Sequence, residues 1–264
     1  MNNPAKRLLL LLKAGKSSKI NVQADCLQVW KKLLNVTGNN DAQTLTRLGK
    51  TIALVGEIED ELKQIEDIES ESLLAWVPLL KNAFASQNLA GPWSGFISKI
   101  DSHTMNYLSN CSALLDANFK DKYKPIESTD ALADEIGNLL KEVLESDLPD
   151  VVKSFMSMKL REIQRALDEY HITGNGPIVK AVESYVGYVV INNKIMSPVA
   201  ENTTVQKFGQ FMNRLAIVTT LTMATLQLPD EVKGYFPGET IIEIPADIDE
   251  NVDQEKEIEQ TIIT

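Results

Sequence analysis

Between residues 159 and 191 apolar side chains recur at helical steps on both sides of a single break. Leu160, Ile163, Leu167 and Tyr170 fall three or four apart, Thr173-Gly174-Asn175-Gly176 interrupts them, and Pro177 opens a second run of Ile178, Val182, Tyr185, Val186, Val189 and Val190. Gly and Asn tolerate positive φ where a helix ends, and Pro suits a first helical turn because its missing N–H has no helical partner there. The pattern predicts a helical hairpin whose limbs are apolar enough to require burial against further helices.

The same period runs through the rest of the chain. An apolar run at 8–12 is broken at Gly15-Lys16-Ser17-Ser18, and Val22, Cys26, Val29, Trp30 and Leu33 then resume helical spacing until Gly38-Asn39-Asn40. Asp41 is the expected N-cap of the clearest amphipathic helix, with Leu45, Leu48, Ile52, Val55, Leu62 and Ile65 on one side. Pro78, inside an apolar set from Leu73 to Phe84, predicts a kink or a restart. Gly91-Pro92 is expected to start one long helix with Trp93, Phe96, Ile97, Ile100, Tyr107, Leu108, Cys111, Leu114 and Leu115 on its stripe.

Further on, Ser128 or Thr129 caps a helix reaching Leu144, and Pro149 opens the first limb of the hairpin. Residues 192–202 read as a loop. Thr203 or Thr204 caps a last long helix that continues to Leu226 and stops at Pro229. No stretch before Pro229 alternates with period two for long enough to make a strand. The expected fold is therefore all-α, a multi-helix bundle of about eight helices including the hairpin. A polar, charged link at 120–125 divides it into an N-terminal half, 1–124, and a C-terminal half, 125–229. Residues 230–264 form an acidic tail.

Composition narrows the function classes. The chain has 264 residues, 44% of them hydrophobic, and a formal charge of -11. That charge argues against general nucleic-acid binding, which needs a basic face to neutralise phosphate. Cys26 and Cys111 are the only cysteines, too few for a disulfide framework, and they point to a reducing cytoplasm. Lys6-Arg7 before the apolar run imitates a signal peptide, but the run stops at Lys13, and a buried helix is expected instead. The longest uncharged run, 215–229, is shorter than the roughly 20 residues a bilayer span needs, so no membrane association is expected.

Candidate chemistry is sparse. Gly15-Lys16-Ser17 has the end of a phosphate-binding loop but lacks its first glycine, since Leu10 stands there, and it reads as a helix break. Asp168-x-x-His171 is half of a di-iron motif with no second half, so neither a metal nor another cofactor is expected. Arg165 and His171, with five residues between them, resemble the Arg-x(4–6)-His signature of HEPN-type ribonucleases, helical proteins that pair two subunits around a composite site. This resemblance covers only 165–171, with Ala166 where that family usually has a polar residue. It implies a metal-independent cleavage in which Arg165 holds the scissile phosphate and His171 moves a proton during 2′-hydroxyl attack.

Charge is distributed unevenly. No acid precedes Asp25, and Lys6, Arg7, Lys13, Lys16 and Lys19 make the first turns basic. Glu57, Glu59, Asp60 and Glu61 make the end of the amphipathic helix acidic, and residues 239–259 carry nine acids against Lys256. This asymmetry favours association with a protein partner or with a second copy. Ile241-Ile242-Glu243-Ile244 has the form of an extended segment that adds to a partner sheet. The expected function is thus a non-enzymatic interaction or regulatory subunit of a larger cytoplasmic assembly. Its expected contact residues are Ile241, Ile242, Ile244, Glu57, Asp60 and Glu61; the alternative is the ribonuclease using Arg165 and His171.

Overall fold

A computed structural model describes residues 2–65, 70–120, 122, 123, 126 and 129–219. Among them there is no β-strand, and the body is all-α, as the hydrophobic period predicts. The helices are α1 (Pro4–Gly15), α2 (Cys26–Leu33), α3 (Asp41–Leu62), α4 (Ser70–Leu73), α5 (Val77–Ala85), α6 (Ser94–Ile97) and α7 (Ser102–Asn118). They continue with α8 (Thr129–Glu145), α9 (Asp150–Asp168), α10 (Tyr170–Thr173), α11 (Gly176–Ile191), α12 (Asn193–Met196) and α13 (Thr203–Thr219). A 3₁₀ turn, Ser197–Val199, precedes α13. The helical segments outnumber the expected eight because the described chain adds single turns where the sequence reads as continuous helix or loop.

The stripe from Trp93 to Leu115 is two helices rather than one. The chain turns after Ile97, and the Asp101 carboxylate accepts the Thr104 N–H at 2.7 Å to cap α7. That bond holds the Asp101 carboxyl below its ordinary value. The α3 cap is Asn40, which accepts the Gln43 N–H at 3.0 Å. Asp41 sits one residue inside and pairs with Lys31 at 2.9 Å. Pro78 marks a restart, lying in the first turn of α5. Residues 192–202, expected as loop, hold α12 and the 3₁₀ turn. Val22, Leu45 and Val190, assigned to buried stripes by spacing, are exposed. Of these, Val22 lies in the turn region ahead of α2.

Two hydrophobic clusters form. The first draws on α1 to α7 and centres on aromatic rings: Trp30 meets Trp93 edge-on at 5.1 Å and Phe96 at 5.2 Å. Trp30 Nε1 donates to Gln87 Oε1 at 2.9 Å, and Trp93 Nε1 donates to the Gly15 carbonyl at 2.8 Å, so neither indole N–H is buried without a partner. Gly15 is glycine for a steric reason: a Cβ there would lie 2.8 Å from Trp93 Cζ2. The second cluster joins α8, α9, α11 and α13, with Phe155 stacked on Tyr188 at 3.5 Å and Tyr185 edge-on to Phe208 at 5.1 Å.

The tip of the hairpin connects the clusters. Gly174 takes φ +64°, as the sequence predicts for the break, and α10 turns Ile172 away from its chain neighbours into the first cluster, fully buried. Around it lies a buried polar junction. Arg7 donates to the Ile172 carbonyl and, at 2.7 Å, to Glu57. Arg47 pairs with Glu169 at 3.3 Å and donates to the Leu34 and Asn35 carbonyls at 2.8 Å each. Lys50 closes on the other oxygen of Glu169. Arg7 therefore does not contribute to a basic surface at the start of the chain; it is 2% exposed and engaged internally.

Candidate functional site

The Gly15-Lys16-Ser17 break lies at the C-terminal end of α1, with the Gly15 carbonyl taken by Trp93 and Lys16 Nζ 3.4 Å from the Ile97 carbonyl. A helix C-terminus presents carbonyls, the wrong pole for phosphate. Both cysteines are buried and unpaired, and burial pushes the Cys26 thiol up to about 11, which keeps it protonated.

Arg165 and His171 lie in different surroundings. Arg165 is exposed on α9. His171 follows the end of that helix, half-buried in the junction, where its charged neighbours are Arg47 and Glu169. Its Nε2 is buried without a hydrogen-bond partner. Burial, then Arg47, push the imidazole below its ordinary value against the opposing pull of Glu169 and a bond to the Asp168 backbone. The folded state thus binds this proton less readily than the unfolded chain. The stabilisation from neutral His171 is complete above about pH 6.5 and is lost as pH falls through the lower folded value. Urea midpoints should drop between pH 7.5 and 5.5 in the wild type, and His171→Asn should flatten that slope. An unchanged slope in the variant would show that other groups carry it.

The acidic residues expected to face a partner are mostly engaged within the chain. Glu57 holds Arg7 and Glu61 holds Lys122 at 2.6 Å, while Asp60 stays exposed, 4.0 Å from Lys63. Ile241, Ile242 and Ile244 lie outside the described residues.

A surface that the sequence reading passed over lies between the end of α8 and the outer face of α9. Leu144, Lys153, Ser157, Met158, Arg161 and Arg165 line an open groove of about 620 Å³, together with Asp150, Ser154 and Glu162. Helical geometry sets this up: residues 154, 158, 161 and 165 recur at three and four, so they share one side of α9 opposite the Val152, Phe155, Met156 and Ile163 core face. Leu144 and Met158 are 53% and 47% exposed, high for large apolar side chains.

The groove's charges are distinctive. Of the five arginines, Arg7, Arg47 and Arg214 are ion-paired with Glu57, Glu169 and Glu135. Arg161 and Arg165 form no ion pair among the described residues, and they sit four residues apart, about 6 Å along the helix. Glu162, their acidic neighbour, is committed to Lys159 at 2.8 Å. Asp150 lies at the other end of α9, and Lys153 Nζ lies 3.5 Å from the Leu144 carbonyl. The Ser157 hydroxyl, in a residue 8% exposed, lines the same groove and has no hydrogen-bond partner. Two guanidinium forks one turn apart suit carboxylate or phosphate oxygens, and the adjoining Met158 and Leu144 suit aliphatic groups. A buried hydroxyl left unpaired costs stability unless a ligand satisfies it. The available signal was the i, i+4 arginine pair on the polar side of a strongly amphipathic helix. Ser157 gave no signal, because the burial of a serine depends on packing between helices and not on local spacing.

No protein family, curated protein or solved structure matches the chain. Among the described residues no helix is long and apolar enough to cross a membrane.

Proposed function

We propose that the protein is a non-enzymatic interaction subunit of a cytoplasmic assembly and that it holds an acidic, aliphatic segment in the α8–α9 groove. The observation that carries this reading is the pair Arg161 and Arg165, which form no ion pair among the described residues and are set beside the exposed Met158 and Leu144. Recognition by charge-assisted bonds at a solvated rim, with apolar contacts between them, is binding chemistry; His171, the natural proton carrier, lies in the junction instead. Association should be steered by charge and weaken steeply with salt.

Titrating the full chain with a probe peptide of alternating Glu and Ile, and following the Met158 methyl resonance, tests this. Saturable shifts are expected in the wild type. The double substitution Arg161→Glu, Arg165→Glu should weaken binding at least about tenfold, since charge-assisted bonds are worth roughly 1.5–3 kcal/mol each. Both side chains are exposed, so the melting temperature should hardly move. Equal affinity for the reversed chain, or no shift in either chain, would remove the reading.

A further inference from the structure

We infer that the groove's first occupant is the chain's own acidic segment, residues 239–259, bound in cis, so that an external partner must displace it. This rests on the groove reading above and adds the identity of the resident ligand.

Three observations support it. The first is complementarity. The segment places Ile241, Ile242 and Ile244 beside Glu239, Glu243, Asp247, Asp249 and Glu250, the aliphatic-plus-acidic chemistry that Met158, Leu144, Arg161 and Arg165 call for. In a chain of net charge -11, its nine acids against one lysine make it a ready counter-charge.

The second is placement. Lys207 pairs with Glu142, and Arg214 with Glu135, so α13 runs antiparallel to α8. The Lys153 contact with the Leu144 carbonyl at one end, and the Ile126 N–H donating to the Tyr170 hydroxyl at 3.0 Å at the other, set α9 antiparallel to α8 as well. Moving about 12–14 Å from that contact along each helix brings Arg161 level with Glu135, and therefore with Arg214. The described chain ends at Thr219, five residues beyond Arg214, and so level along the helix axes with the Arg165 end of α9, with α8 between. The nineteen residues from 220 to 238 can span up to about 60 Å, so reach imposes no barrier.

The third is tethering. A tether of nineteen residues gives the segment an effective concentration in the millimolar range. Contacts with an intrinsic dissociation constant of about 0.1 mM, ordinary for a short charged peptide, would then keep the groove roughly nine-tenths filled and weaken a competing peptide about tenfold. The unpaired Ser157 hydroxyl supplies a buried donor for one of the carboxylates.

The experiment compares the Glu–Ile probe peptide on the full wild-type chain and on a full chain with a neutralised tail: Glu243→Gln, Asp247→Asn, Asp249→Asn, Glu250→Gln, Asp253→Asn and Glu255→Gln. The expected result is about tenfold tighter probe binding by the neutralised chain, lost again when Arg161→Glu is added. Equal affinity of the two chains would overturn cis occupancy while leaving the groove's function standing. No binding by either chain would overturn both. If the gain grows with protein concentration and the wild type sediments as a dimer that the neutralised chain does not form, the segment of a second copy fills the groove, and the cis assignment is wrong.

Discussion

Replacing Glu169 by Ala should cost the folded chain about 3–5 kcal/mol, because it leaves the buried Arg47 without its counter-charge. Arg47 and Glu169 have side chains only 4% and 7% exposed, and water cannot take over the missing carboxylate. The Leu34 and Asn35 carbonyls remain bonded to Arg47 Nη1, which keeps the loss towards the lower part of that range. Lys50, on the same carboxylate but 40% exposed, can turn to solvent and adds little. The readout is a chemical unfolding curve at pH 7.5 with a melting temperature lower by roughly 10 °C, given about 2–4 °C per kcal/mol for a chain of this size. Substituting both partners, Arg47→Met with Glu169→Met, should recover much of the loss, since an apolar pair of similar volume often does as well as a buried ion pair. A single Glu169→Ala change that costs less than about 1 kcal/mol would show that the junction is hydrated and contributes little.

The second large effect is expected at Trp93. Trp93→Ala removes a fully buried indole touching Trp30 and Phe96, a class of change that costs about 3–5 kcal/mol through lost transfer energy and the cavity left behind. Two features push it to the upper end. The facing residue is Gly15, which has no side chain to collapse into the space, and its carbonyl, at the end of α1, loses the indole donor. Trp93→Phe should cost distinctly less, about 1–2 kcal/mol, because the ring area is largely kept and only the N–H bond is removed. Similar losses for the two variants would mean that the hydrogen bond, not the packing, sets the value. Neither substitution touches the α8–α9 groove, so probe binding by the surviving folded fraction should be unchanged.

How far these positions could be foreseen depended on how local their cause is. The break at Gly174, the restart at Pro78 and the apolar faces of α3, α9 and α11 follow from backbone restrictions and helical period, which act over a few residues and are written in the order of the chain. The all-α class follows from the same source. The turn after Ile97 was missed because its apolar residues keep helical spacing straight through it; Asp101 capping and the docking of Trp93 on α1 and α2 outweigh continuity. The exposed Val190 and Leu45 have the opposite origin. Their spacing is that of a buried stripe, yet no helix among the described residues covers them.

The sequence by itself determined where the helices can form and which of their faces are apolar, because those properties depend on side chains only a few positions apart. Only the tertiary structure decided what Arg7, Arg47, Glu57 and Glu169 are for. In sequence they are ordinary surface charges; in the fold Arg7, Arg47 and Glu169 are buried beside the inserted Ile172 and Glu57 reaches Arg7 from the exposed side, so each depends on a partner far away in the chain. The same holds in reverse for Arg161 and Arg165. Among the described residues the other three arginines pair with Glu57, Glu169 and Glu135, while these two face outwards on the groove that the buried Ser157 also lines.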